Sequence, residues 1–352
     1  MNLNLAIIGQ GAVSPAGIGI DALLHGTPTP TVVAEIRAPA QTWPVLRVDQ
    51  KAPAFARWQR EPRLRRASPI TFFLVETAEQ ALANVSAAER AETGIIVAYS
   101  AGCLAYSRRF FEGIVKQGQK TASPALFPET VFNSPVSHVA AVLGLNGAAY
   151  ALVGDESAWV SALITASIWL RQERVKQVLV LGVEEFDPLV LDAYRSARWL
   201  RRNAAGGFLT SEGAGGILVR RERTGDTRII KSAQDGFIYR TKNEAAFAAE
   251  NMLHADDTTL PIFPTASRNW LAPIESAITA QGAHIDNSAL AYLGEAFTAS
   301  AAWSTLRAIH FLSDNTPQIL LPVWGLNHQL AALELNFANA TSPRQLAGEP
   351  LF

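Results

Sequence analysis

A single cysteine, Cys103, stands in a chain of 352 residues, which excludes an intramolecular disulfide framework and a cysteine-based metal site. Charge is also scarce, with 17% of residues charged against 49% hydrophobic. That balance points to extensive burial, including burial against a partner subunit. The formal net charge of −1 gives no global argument for nucleic acid or an anionic membrane. No apolar run reaches the roughly 18 residues needed to cross a bilayer. The opening "MNLNLAIIGQGAVSP" has no basic segment and its apolar run breaks at Gly9 and Gly11, so no signal peptide is read. The expectation is a reduced, soluble, cytoplasmic protein with no cofactor.

Short apolar runs bounded by Gly or Pro read as buried strands. They fall at 4–9, 94–99, 149–154, 177–182 and 215–220, and again at 227–233, 260–264, 289–294, 318–325 and 330–336. Helical stretches lie between them at 69–85, 157–173, 243–253, 270–282 and 302–312. Strands alternating with helices predict an α/β fold with largely parallel sheets. The two halves, 1–222 and 223–352, echo one another: "VLVLGVEE" in the first is matched by "ILLPVWGLN" in the second. A duplicated unit, with two sheets sandwiching buried helices, explains why 157–173 is apolar almost all round.

Two local motifs carry little. "GQGAVSPAG" imitates a dinucleotide fingerprint but runs Gly-x-Gly-x-x-Ser and has no acid placed for the ribose hydroxyls. The arginine-rich "RWQREPRLRRASP" at 57–69 reads as a solvated loop leading into a helix, or as a docking patch for an acidic partner.

The order of motifs carries more. "AIIGQGAVSPAGIG", "RRASPITFFLVETAEQAL", the run 123–158, "VLVLGVEEF", "GGFLTSEGAGGILVRRE", "PTASRNWLAPIESAI", "LGEAFTASAAWSTLRAI" and "WGLNHQLAALEL" together resemble β-ketoacyl-ACP synthases over nearly the whole chain. The resemblance implies a thiolase-like fold, a five-layered α-β-α-β-α sandwich. It also implies a Cys nucleophile at the start of a buried helix, where the helix dipole lowers its pKa, and two His residues. In this sequence those three positions fall on Glu156, Pro264 and Glu295. Glu184 and Glu212 match acids that hold loops together in the family. Cys103 reads as a small buried thiol, His328 lies near the expected active-site loop, and no His is placed to activate Ser157 or Ser161.

Asp155, Glu156, Glu184, Glu185 and Glu295 raise the question of a metal site, against which stands the structural reading of the acids as caps and loop holders. For Glu156 two readings stay open: inert filling stabilised by the helix start, or a pocket-shaping or acid/base role.

Within the family the loss of the cysteine resembles chain length factors, which pair with an active ketosynthase and limit the depth of its acyl tunnel. The resemblance then implies a ketosynthase partner, acyl carrier protein as a shared partner, and an interface involving 144–154. Phe110, Phe111 and Phe132 match the lining positions. A chain short between 186 and 206 is similar to the small members of aryl-polyene pathways. The competing expectations are a homodimeric acyl-thioester decarboxylase or hydrolase using Glu156 as general base, and a scaffold that only stabilises its partner.

Overall fold

The structure, a computed structural model, describes residues 1–200, 207–241, 243–244, 247–248 and 292–338. Eleven strands are present among the described residues. They are β1 (Asn2–Ser14), β2 (Gly17–Ile18), β3 (Thr31–Ala34), β4 (Thr42–Val45), β5 (Thr93–Tyr99), β6 (Ala149–Val153), β7 (Gln177–Glu184), β8 (Gly213–Arg221), β9 (Arg228–Ile238), β10 (Gln318–Trp324) and β11 (Gln329–Phe337). The helices among them are α1 (Ile20–His25), α2 (Ala56–Gln59), α3 (Pro69–Ala81), α4 (Ala87–Ala91), α5 (Leu104–Gln117), α6 (Ser134–Leu143), α7 (Ala158–Arg171), α8 (Pro188–Ser196) and α9 (Thr298–Phe311). The strand expected at 260–264, the helix at 270–282, most of 243–253 and the first half of 289–294 lie outside the described residues.

One curled sheet runs β10-β11-β9-β1-β8-β7-β5-β6, with β2 beside β1. Among the described residues, β5–β6 and β5–β7 pair in parallel, and β1–β8, β1–β9, β7–β8, β9–β11 and β10–β11 are antiparallel. The expectation of largely parallel sheets is corrected on this point. Apolar runs report burial on both faces, which is common in parallel sheets but follows equally from an antiparallel strand covered on both sides.

That double covering is visible along single strands. On β7, Leu179, Leu181 and Val183 belong to the core formed with α3 and α6, while Val178 and Val180 belong to the core formed with α7 and α9. Ile95 and Val97 against Ile96 and Ala98 divide in the same way on β5. The second core also takes in Ile230, Leu321, Val323, Leu333 and Leu335 from β9, β10 and β11. Helices α7 and α9 are thus sandwiched between the two arms of the sheet, with α3 and α6 on the outer face of one arm.

The buried helices approach the sheet closely because glycine lets them. A Cβ on Gly182 of β7 would lie 2.3 Å from the Thr298 carbonyl at the start of α9. The polar tips inside this layer are paired: Trp159 Nε1 donates to Thr305 Oγ1 at 2.9 Å, and Trp303 Nε1 to the Ala214 carbonyl at 2.9 Å. The expected helix at 157–173 therefore exists as α7, and its apolar girth is explained by contacts on both sides.

Among the described residues, no helix is long and apolar enough to cross a membrane.

Candidate functional site

Strands β5, β6 and β7 run parallel, so their carboxyl ends finish at one edge of the sheet, the usual location of a ligand crevice in α/β proteins. Tyr99, Val153 and Glu184 are the last residues of these strands. Chain leaving β6 passes through Gly154, Asp155, Glu156 and Ser157 before entering α7.

Glu156 is fully buried. Its Oε2 accepts the backbone N–H of Leu326 at 2.8 Å, from the turn between β10 and β11. Its Oε1 has no hydrogen-bond partner. Burial pushes the carboxyl well above the ordinary carboxylate range, and the nearby charges of Glu295 and Asp155 add to this. The Leu326 N–H and the residue's own backbone N–H oppose the shift.

Asp155 works beside it. Its Oδ1 accepts the Ser157 N–H at 3.0 Å and the Ser157 hydroxyl at 2.6 Å, and its Oδ2 accepts the Asn327 N–H at 2.9 Å. Ser157 also meets the Gln329 side-chain amide. Ser157 is the N-cap residue of α7, but no side-chain cap bond forms there.

Glu295 is buried, and its Oε1 accepts the Phe297 N–H at 2.7 Å. Phe297 itself sits at φ 47°, a region that non-glycine residues rarely occupy. Glu184 accepts the N–H groups of Ser100 and Ala101, the latter at 3.1 Å. Burial nevertheless pushes it up to about 8. Glu185 accepts the Ala105 N–H at 2.8 Å and the Ile70 N–H at 3.2 Å, joining the first turns of α5 and α3, and burial pushes it up to about 7. Glu212 accepts Arg47 Nε at 2.6 Å and the N–H groups of Val48 and Phe186 at 3.1 and 2.9 Å. Burial raises its carboxyl, with Arg47 opposing.

The structure thus brings Glu156, Glu184 and Glu295 to one edge, around Tyr194 of α8, whose hydroxyl is raised by burial and then by those three carboxylates. An aromatic layer covers them. Tyr194 packs against Phe208 and Phe297 at ring-centroid distances of 5.5 and 5.6 Å, and Leu326 joins the same cluster. The spacing of hydrophobic residues gave no sign of Tyr194 or Phe297 as site residues, because they come from α8 and from the residue before α9. The sequence signals were the motifs "GGFLTSEGAGG", which contains Phe208, and "LGEAFTASAAWSTLRAI", which contains Phe297. Pro264 lies outside the described residues. Among those residues, no group of three or more His, Cys, Asp or Glu is arranged to hold a metal ion.

A nucleophile-and-base pair is not found at the start of α7 among the described residues. Cys103 is buried elsewhere, near Ser68 Oγ and the Val131 carbonyl at 3.9 Å, and burial pushes its thiol up to about 12. His138 pairs with Glu129 at 3.0 Å, His328 stacks on Tyr239 at 5.3 Å, and His25 meets His310 edge-on at 6.5 Å.

The three phenylalanines do not converge. Phe132 lies on Tyr99 at 5.5 Å and over Gly102, where a Cβ would be 2.4 Å from its ring. Phe110 instead meets Phe111 at 5.5 Å and Phe127 at 5.6 Å on the outer side of α5. Phe127 belongs with this group; its place after Ala125 and Leu126 in "SPALFPETVF" was the available signal. Phe110 also borders a groove of about 380 Å³ together with Arg65, Arg66, Arg109, Thr121 and Leu126.

The family profile described as β-ketoacyl synthase, N-terminal domain, matches residues 5–225. The chain belongs to the β-ketoacyl synthase family. Solved structures agree on the thiolase-like fold. The ishigamide ketosynthase/chain length factor is 18% identical, with a TM-score of 0.77 over 96% of this chain and 100% of that one. A ketosynthase in complex with its chain length factor from Xenorhabdus doucetiae is 15% identical, with a TM-score of 0.75 over 96% and 98%. A β-ketoacyl synthase from Burkholderia phymatum STM815 is 14% identical, with a TM-score of 0.75 over 96% and 100%. No curated protein matches the chain.

Proposed function

We propose that the chain is a chain length factor: a non-condensing subunit that pairs with an active β-ketoacyl synthase and shapes that partner's acyl pocket. The observation that carries this reading is a buried Glu156 bonded to Leu326 at the head of α7, where the resemblance expects the family's nucleophile. A carboxyl so placed cannot form the acyl thioester that condensation requires.

Two surfaces support the pairing. Among the described residues, strand β6 forms an edge of the sheet, with Tyr150 51% and Val153 56% exposed. Phe111 and Phe127 are similarly open, at 61% and 56%. Bare apolar side chains along an unpaired strand edge favour addition of another chain. The groove framed by Arg65, Arg66 and Arg109 suits the acidic face of an acyl carrier protein. Among the similar structures is an acyl carrier protein in complex with its ketosynthase, 15% identical with a TM-score of 0.76. Polyketide or polyene assembly, the aryl-polyene type included, is the corresponding pathway class.

Co-expression with a ketosynthase that retains Cys and both His tests the assignment. The pair is expected to co-purify and condense malonyl units, and the chain alone to show no turnover of malonyl-carrier protein. A folded homodimer that decarboxylates malonyl-carrier protein unaided would refute it.

A further inference from the structure

The arginine-rich segment 57–69 divides into two kinds of residue. Arg57 is held by Glu76 at 3.2 Å, and Arg63 donates to the Ala141 carbonyl at 2.6 Å. Arg65 and Arg66 are exposed, and among the described residues no hydrogen bond or ion pair engages either of them. Arg109 of α5 is in the same condition, although its neighbour Arg108 is bonded to both Asp187 and Glu112 at 2.8 Å. These three guanidinium groups frame the groove of about 380 Å³ beside Phe110.

Beside the groove lies a second, narrower cavity of about 170 Å³, walled by Phe55, Phe72, Phe73 and Tyr106, with Gln50 and Gln59 as its polar lining. Local structure sets these rings. Pro53 opens the single 3-10 turn that ends at Phe55, and Pro69 opens α3, which carries Phe72 and Phe73 just past its first turn. Phe55 packs on Phe73 at a ring-centroid distance of 6.1 Å, and Gln59 Nε2 donates to the Gln50 carbonyl at 3.0 Å. Tyr106, in the first turn of α5, lines both openings, and its hydroxyl donates to the Ala67 carbonyl at 3.2 Å. Arg109 is near enough to oppose the rise that burial imposes on that hydroxyl. The chain passes directly from Arg65 and Arg66 in the groove to Ala67 and Pro69 in the cavity wall.

We infer that cavity and groove together form one site for a small amphipathic anion, an aromatic carboxylate whose ring enters among Phe55, Phe72, Phe73 and Tyr106 and whose head meets the guanidinium groups of Arg65, Arg66 and Arg109. The cavity is smaller than the roughly 300–1,000 Å³ that surrounds a drug-sized ligand, so it admits one ring and no long acyl chain. Four aromatic walls favour a ring over an alkyl group, through offset and edge-to-face contacts. An arginine fork matches a carboxylate with two parallel hydrogen bonds, and these arginines have no internal acceptor to give up first. Because the same arginines suit the acidic face of a carrier protein, the bound anion would compete with that contact. The inference rests on the two adjoining cavities and not on the pairing assignment.

Titration of the full-length chain with cinnamate, in whatever assembly it purifies in, tests the inference by calorimetry and by Tm. Saturable binding with a Kd below about 1 mM is expected, with Tm rising as the ligand is added. Acetate, the head without the ring, and cinnamamide, the ring without the charge, are expected to bind at least about tenfold more weakly. Arg109→Ala and the double variant Arg65→Ala/Arg66→Ala are each expected to weaken cinnamate about tenfold, the loss of a charge-assisted hydrogen bond. Phe72→Ala is expected to weaken it roughly fivefold. Cinnamate that fails to saturate below about 10 mM, cinnamamide that binds as tightly, or wild-type affinity in the arginine variants would overturn the inference. So would a chain that takes no cinnamate but loses carrier protein in Phe72→Ala, which would give the cavity to an apolar side chain of a docked protein. Should Phe72→Ala fail to fold, the arginine variants and the amide control still decide it. The cinnamate titrations use neither a ketosynthase nor a carrier protein, so their failure is separable from failure of the pairing assignment.

Discussion

The Glu156 carboxyl accepts the Leu326 N–H at 2.8 Å across 170 residues of sequence. The resemblance to β-ketoacyl synthases expects a nucleophile at the head of this helix. Here the same place supplies a tertiary contact between the segment after β6 and the hairpin β10–β11. A buried hydrogen bond of this kind contributes about 1 kcal/mol net, but leaving its N–H unpaired costs more.

Gly325→Ala tests how closely the turn is seated. The added methyl would fall within 2.6 Å of three Asp155 carboxylate atoms, so the turn must lift. A loss of about 1–3 kcal/mol is expected from chemical denaturation, with exchange at Leu326 and Asn327 accelerated. An unaltered midpoint would show that the turn moves without cost.

Glu184 and Glu185 predict a stability that declines as pH rises. Their folded values, about 8 and about 7, lie above the ordinary carboxylate value of 4.5. Between 4.5 and those values the folded state holds protons that the unfolded chain has lost. Their contribution is therefore complete below 4.5 and lost as pH rises through about 7 to about 8. The urea midpoint should fall between pH 6 and pH 9, and Glu184→Gln should flatten the slope. A midpoint that climbs over this range contradicts the assignment.

Glu212→Ala should be costly although the residue lies outside the Glu156 cluster. It strands the Val48 and Phe186 N–H groups and separates Arg47 from its partner. A loss of about 2–4 kcal/mol is expected, read by thermal and urea unfolding. Arg47→Ala should cost less than Glu212→Ala, because Glu212 keeps its two backbone donors.

Charged substitutions on the open edge test the pairing surface. Tyr150→Lys and Val153→Asp should abolish co-purification with the ketosynthase while leaving the far-ultraviolet circular dichroism of the chain unchanged. Retention of the complex would place the interface elsewhere.

Phe110→Ala, Phe111→Ala and Phe132→Ala, with Phe127→Ala added on structural grounds, test length control in the reconstituted pair. Longer products are expected from at least one of them. An unchanged product distribution for all four would favour a scaffold.

Strands β5, β6, β7, β8 and β10 were legible to within about two residues, because each is a short apolar run ended by Gly, Pro or a polar residue. β1 was read as 4–9 and extends over Asn2–Ser14, since its second half carries Gly9 and Gly11. Those glycines are there to let α3 approach: a Cβ at either would sit about 2 Å from a carbonyl of that helix. Helices α5, α6 and α8 were not read. The first exposes most of one side to solvent, and the other two open on Pro, at Pro135 and Pro188, which a reading for breaks takes as punctuation.

The sequence by itself determined the family, the apolar character of α7 and the identity of the residue at its head, because these are properties of composition and motif order. It could not say what Glu156 touches. That was decided by the curl of the sheet, which brings the β10–β11 turn onto α7 and buries the acids of three separate segments behind Tyr194, Phe208 and Phe297. Whether a carboxyl is a solvated cap or a buried latch depends on which distant amide reaches it, and only the tertiary structure sets that distance.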